Sequence, residues 1–369
     1  MRCRFGLWML PWLMLACGDD AGDGPEAGTP ADAVLSDAGE RDAATMPIDA
    51  GRLTLLPGQL VHSFPSLTVA PGEEDNTVCL SWTLDNDETI WVREVAFEND
   101  GAFHHSNWTF ASDSMFPGPD GAWPCAERGY GLIDAAIGGG VFFAQSTQAR
   151  EEAQRFADGA AFGIPPRSRI IGQLHLLNVT EDEIVTTPRF DVRTLAEDEV
   201  ETRLNPMAFT NLLLDVVPGA TTVASMDCAP PQPDFALHYV LPHYHALGVG
   251  MTIEVVGGPE DGREVFRTDV RYGEAAGEVL EPPISLQGVT SLRISCRYEN
   301  AGDQAVSYGP TGADEMCVVL LFTDSADRAG GFSLAQTGVE EADGERRTTG
   351  QCLVIRQSDA VESGLVPAL

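Results

Sequence analysis

Thr89-Ile90-Trp91-Val92-Arg93-Glu94-Val95-Ala96-Phe97 mixes apolar and polar residues with a period near two. On an extended chain that period sends one set of side chains to a core and the other toward solvent, which predicts a half-buried β-strand. Arg169 to Val179 and Ser291 to Tyr298 repeat the pattern. Phe116-Pro117-Gly118-Pro119, Ile164-Pro165-Pro166, Val217-Pro218-Gly219 and Gly257-Gly258-Pro259 separate such runs with residues that break regular structure. A helical period is visible only around Gln148 to Phe156. Many short strands without alternating helices predict an all-β fold built from antiparallel, jelly-roll-like β-sandwiches.

With 369 residues, of which 43% are hydrophobic, the chain has material for two cores. The polar stretch Thr194 to Glu201 is the best boundary, so 53–201 and 202–369 are expected as two consecutive domains. A formal charge of -34 and a pI near 4.3 argue against binding to nucleic acid or to an anionic membrane surface. Every basic residue is arginine, which a codon bias explains without any chemistry. Acidic runs such as Thr180-Glu181-Asp182-Glu183 are expected as solvated loops.

Residues 1–17 have the form of an export signal: Arg2 and Arg4, an apolar run from Phe5 to Leu15, then Ala16-Cys17-Gly18. The apolar run is too short to span a bilayer as a helix. Leu13-Met14-Leu15-Ala16-Cys17 resembles a bacterial lipobox, which would make Cys17 the lipid site and the mature N-terminus; a plain secretory signal is the competing reading. Residues 18–52 are mostly Ala, Gly, Asp and Pro and read as a flexible acidic tether. Together these features predict a periplasmic or cell-surface lipoprotein of a bacterium, touching the membrane only through its anchor.

Beyond Cys17 the cysteines are Cys79, Cys125, Cys228, Cys296, Cys317 and Cys352. An even number in an exported chain predicts disulfides, and counting alone leaves their pairing open. No CxxC occurs, which argues against a zinc ribbon or a thioredoxin-like site.

Five of the seven histidines fall in three short motifs. His104-His105 follows Asn99-Asp100-Gly101, which supplies turn chemistry. Neighbours on a regular strand point to opposite faces, so the backbone must bulge or turn for both rings to reach one ion. In Gln173-Leu174-His175 the outer two residues share a face, and in His243-Tyr244-His245 both imidazoles do. A single such motif is more often a packing feature than a ligand set; five of seven histidines in such motifs reverse that reading. Imidazole suits zinc, copper, iron and nickel, whereas a thioether ligand would select copper. Met207, Met226, Met251 and Met316 are all candidates for that ligand.

The adjacent histidine pair, the Gln-x-His, the His-x-His and then Glu315-Met316-Cys317 follow one another in an order that resembles the copper type II, ascorbate-dependent monooxygenases. That family includes peptidylglycine α-hydroxylating monooxygenase and dopamine β-monooxygenase. The resemblance runs from about Leu60 to Cys352. It implies two coppers per chain, one on His104, His105 and His175 and one on His243, His245 and Met316. The first would supply electrons; at the second, dioxygen and substrate would meet, with ascorbate as reductant. The resemblance also implies two domains facing each other across an open, solvent-filled cleft, and the pairs Cys79–Cys125, Cys228–Cys352 and Cys296–Cys317. For the last pair, strands ending near Asn300 and starting at Glu315 are expected as neighbours. Met316 would then face the cleft and Cys317 the core.

The positions that clamp a peptide carboxylate in that family are here Leu241, Val318 and Leu320, which cannot bind one. Ordinary strand burial is an equally good explanation of these three. Gln173 is retained and is placed to hydrogen-bond in the cleft. A monomer acting on a small molecule is expected. The alternative is a copper-binding or storage lipoprotein that kept the fold without turnover.

Overall fold

The computed structural model describes residues 58–230, 234–273 and 275–363. The export signal, Cys17 and the 18–52 tether lie outside the described residues. Strands dominate, interrupted by two short α-helices, Leu132–Gly138 and Gln357–Glu362. No helix among the described residues is long and apolar enough to cross a membrane.

The opening stretch forms the strand Ile90–Glu98, in which Val92, Val95 and Phe97 are all buried. Val92 and Val95 are out of phase for strict alternation. The ladder to Arg189–Leu195 resolves this, with Glu94 opposite Arg193 but Val92 opposite Thr194. Arg93 is the extra residue of a β-bulge, and it resets the phase so that both apolar pairs face inward.

Gln148 to Phe156 is not helical, contrary to its period; it contains the strand Glu151–Arg155. Its Glu, Ala, Gln and Arg residues favour a helix intrinsically, but pairing with Ile90–Glu98 overrides that preference. Gln154 is turned inward and donates its amide to the Phe142 carbonyl, while its neighbours face solvent.

A first core lies between two layers. One runs through Gln59–Ser63, Arg189–Leu195, Ile90–Glu98 and Ala160–Ile164; the other through Gly121–Pro124, Val78–Thr83, Ser168–Leu177, Phe103–Ser112 and Gly140–Gln145. Between them Phe97, Trp108, Phe143 and Phe190 meet with contacting ring centroids 4.7 to 5.9 Å apart. Gly172 leaves room for the Trp108 indole, because a Cβ there would sit 2.3 Å from that ring. On the outer face of this second layer, Cys79–Cys125 anchors a smaller cluster around Phe116, Trp123 and Ile171.

The second core is closed by one long sheet. Thr202–Thr210 pairs with Val318–Thr323, which pairs with Ala236–His243. On its other side the path runs through Ala329–Ala342, Glu345–Arg356, Ala220–Cys228, Leu292–Asn300 and Gly248–Val255. Residues from both arms share one core: Leu237, Val240 and Leu321 pack with Met226, Ile253 and Ile294. The sheet therefore folds back on itself as a sandwich.

All three disulfides have the pairing that the resemblance implies. Cys228–Cys352 joins two strands that pair directly in one parallel ladder. Cys296–Cys317 does something different from the expected link between neighbours. The strand after Cys317 starts at Val318 and faces Leu292–Asn300 across the core, so this bond ties the two arms of the sandwich together.

Two features depart from a plain pair of antiparallel sandwiches. Three ladders among the described residues are parallel: Ala160–Ile164 with Thr202–Thr210, Thr202–Thr210 with Ala329–Ala342, and Ala220–Cys228 with Glu345–Arg356. Packing also continues across the expected boundary, which falls on the short 3-10 turn Glu197–Glu199. Tyr239, Leu241, Leu320 and Phe322 from the second half complete the first core, and Phe322 lies 4.7 Å from the Phe156 ring.

Candidate metal centre

The first histidine motif sits on the outer face of the second layer. His105 lies directly opposite His175, yet one position further along Leu176 pairs with Phe103. His104 is therefore the extra residue of a β-bulge, as the adjacency of two histidines requires if both are to serve one ion. Gly101 and Ala102, with φ of 123° and 60°, make the turn that feeds it. The two rings end with their Nδ1 atoms 3.0 Å apart, close to the spacing of about 3.3 Å between two nitrogens of a tetrahedral ion. The third motif, His243-Tyr244-His245, straddles a strand end. His243 is the last residue of Ala236–His243, Tyr244 turns into the second core, and His245 follows outside the strand.

Hydrogen bonds decide which nitrogen four of the five rings offer. His175 Nε2 donates to Glu74 Oε1 at 2.7 Å, which leaves Nδ1, a buried atom with no partner. His104 Nε2 lies 3.0 Å from the Tyr272 hydroxyl, which can accept its proton and leave Nδ1 facing His105. His245 Nδ1 donates to the Asp314 carbonyl at 3.0 Å, leaving Nε2 buried and unpartnered. His243 Nδ1 faces Ser146 Oγ, whose own proton goes to the Pro242 carbonyl, and again Nε2 is buried without a partner. A buried acceptor left unpaired costs about 1–3 kcal/mol, and three of them in one cluster are atoms that could hold an ion. His104, His105 and His175 bring ligand atoms within 4.8 Å of one another, and so do His105, His243 and His245.

Met316, 8% exposed, lines one cavity with His243 and another with His105 and His175. A thioether among imidazoles favours copper over zinc. Of the other candidates, Met207, Met226 and Met251 are core residues of the second sandwich. The two remaining histidines do ordinary work: His62 stacks on Trp82, and His238 lies beside Asp324. Gln173 sits in the same cavity as His175, its amide 3.4 Å from the Asn76 carbonyl.

The open, solvent-filled cleft expected between the two sets is not found. His105 lies 4.9 Å from His243 and His104 lies 5.0 Å from His245, ring centre to ring centre. Four of the five rings are at most 5% exposed. Direct bonds between the halves hold this closure: Ser146 to Pro242, Gly312 to Glu74, and Gln148 to Tyr272. Glu74 and Tyr272 have no signature in the sequence, because each acts on a histidine far away along the chain.

Burial also sets the charge state. It drives the His104 pKa down to about 3, with His175 and His245 adding repulsion, and takes His105 and His243 well below the ordinary value. Burial lifts Glu315 to about 7, against the pull of three backbone N–H groups, those of Leu247, His245 and Met316. These shifts predict a pH effect in metal-free protein. Below pH 6.5 the unfolded chain takes up protons that folded His104 refuses until about pH 3. Each histidine kept neutral therefore costs about 1.4 kcal/mol per unit as pH falls below 6.5, while Glu315, protonated more readily in the folded chain, works in the opposite direction as pH falls through about 7. Denaturant midpoints between about pH 7 and about pH 5 should drop more steeply for wild type than for His243→Asn. Equal slopes would mean that the rings are hydrated in solution.

A larger cleft of about 640 Å³ lies elsewhere, on the second sandwich. Its Arg267, Arg293, Arg297 and Arg347 are already paired with carboxylates, so it offers no unpaired arginine to an anion.

No family model matches the chain, and no curated protein does. Several similar solved structures come from viruses, with little sequence in common. The VP54 protein of PBCV-1, fitted into a reconstruction of the virophage Sputnik, is 9% identical over 74% of this chain and 95% of that one, with a TM-score of 0.25. The major capsid protein P2 of bacteriophage PM2 is 8% identical over 72% and 97%, with a TM-score of 0.27. A chain of the cowpea mosaic virus empty particle is 10% identical over 70% and 89%, with a TM-score of 0.30.

Proposed function

We propose that this chain is a copper-dependent monooxygenase that hydroxylates a C–H bond of a small organic substrate, with dioxygen and a one-electron reductant such as ascorbate. One observation carries it: His104 and His175 present Nδ1 atoms, with His105 Nδ1 beside that of His104, while His243 and His245 present Nε2 atoms, with Met316 on a cavity wall beside His243. The first trio would hold one copper, and His243, His245 and Met316 the other. Two coppers would supply one electron each, so that one oxygen atom enters the substrate and the other leaves as water.

The chain's own residues prepare this chemistry. Glu74, Tyr272 and the Asp314 carbonyl fix the rings, and burial keeps them neutral so that lone pairs are available at ordinary pH. The fold around them excludes bulk water. In the same reading Cys17 anchors an exported monomer to a bacterial membrane through the 18–52 tether.

One observation favours a second reading, copper storage without turnover: the histidine rings of the two ligand sets are in contact. Oxygen uptake separates the two. Protein purified after export into copper-supplemented medium is expected to carry two coppers per chain and to consume oxygen with ascorbate faster than the same amount of free copper. Two coppers without such uptake would favour storage. Less than one copper per chain would remove both readings.

A further inference from the structure

We propose that the cavity beside His243 and Met316 takes a neutral, apolar group of about benzene size, and that this group carries the C–H bond to be hydroxylated. The second half rests on the copper reading above; the first stands without it.

The cavity measures about 160 Å³. A dry apolar cavity of about 150 Å³ holds one benzene ring, which sets the size of the occupant. Three elements build the walls. Leu241, Val318 and Leu320 come from two paired strands of the second sandwich. Ile133, Ala136 and Ile137 come from the helix Leu132–Gly138, and Phe332 and Ile355 from the hairpin Ala329–Arg356. His243 and Met316 close one side, so an occupant lies against the proposed second copper position.

Charge is the deciding feature. No Asp, Glu or Arg lines this cavity. A carboxylate or an ammonium placed there would lose its water and find no counter-charge, which costs far more than its apolar part gains. Part of the polar wall is already committed: Ser146 donates to the Pro242 carbonyl, and Gln145 accepts from Ser106 and donates to Ala149. The route in passes a second cavity of about 460 Å³, lined by Asn76, Gln173 and His175, which shares Leu132, Tyr308 and Met316 with the first. Asp134 is the one carboxylate along that route, and it is exposed. An uncharged molecule with an apolar end fits this sequence of polar entrance and apolar chamber.

The test uses three probes of one shape, followed by fluorine NMR on the whole metal-free chain: 4-fluorotoluene, 4-fluorobenzoate and 4-fluorobenzylamine. The neutral probe is expected to bind at least about tenfold more tightly than either charged one. Ala136→Phe, which fills the chamber, should abolish its binding with little change in melting temperature; if that variant does not fold, Val318→Phe serves instead. Equal or tighter binding of a charged probe overturns the proposal, and so does unchanged binding in the filled variant. Loading with Cu(II) should then broaden the bound 4-fluorotoluene signal, and the double variant His243→Ala/His245→Ala should broaden it less. Binding without broadening overturns the second half alone and speaks against the copper reading, while the chamber and its preference stand.

Discussion

Met316→Ala is expected to lower ascorbate-dependent oxygen uptake by at least about 100-fold while the copper content falls by less than half. Two imidazoles at His243 and His245 suffice to retain an ion, but the soft thioether is the ligand that favours Cu(I). Without it the second site would hold copper in the wrong redox preference. Met251→Leu is the control, because Met251 is buried in the second core away from the histidines; its oxygen uptake should match wild type. If Met316→Ala turns over normally, Met316 is core filling and the assignment of the second site is lost. If copper and activity disappear together, the site needs the thioether merely to hold its ion.

The second large effect is on stability. Glu315 is 1% exposed, and its carboxylate accepts backbone N–H bonds from His245 at 2.9 Å, Leu247 at 2.6 Å and Met316 at 3.2 Å. Alanine would orphan all three in a buried place, at about 1–3 kcal/mol each before any relaxation. Glu315→Ala should therefore lose about 3 kcal/mol or more in urea unfolding, and one copper per chain with it. Glu315→Gln keeps one acceptor oxygen and should lose about half as much. A Glu315→Ala protein with wild-type stability and two coppers would show that Glu315 does not position His245 and Met316. The pair of measurements separates this residue from Met316, whose loss should spare the fold.

Much of this molecule was legible one segment at a time. Alternation in Ile90–Glu98, Ser168–Leu177 and Leu292–Asn300 depends only on the two-residue repeat of an extended chain, so the strands could be read directly. The bulge at His104 was legible for the same reason, since two adjacent ligands violate that repeat. The helix Leu132–Gly138 was not, because seven residues carry too little periodicity to stand out. Glu151–Arg155 was misread as helical because its residues favour a helix and only its partner strand outvotes them. The bulge at Arg93 shows the same limit: the phase slip is present in the sequence, but the ladder explains it.

The candidate ligands His104, His105, His175, His243 and His245 stand out by local spacing, for which no folding is needed, and Met316 by the resemblance that Glu315-Met316-Cys317 carries. The nitrogen that each ring offers does not stand out in this way. It depends on Glu74, 101 residues from His175, and on Tyr272, 168 residues from His104, and no local pattern connects such partners. The same holds for the closure that brings His105 to within 4.9 Å of His243, where an open cleft was expected. A strand's repeat sets which face a side chain takes; only the packing of one sandwich on the other sets what that face meets.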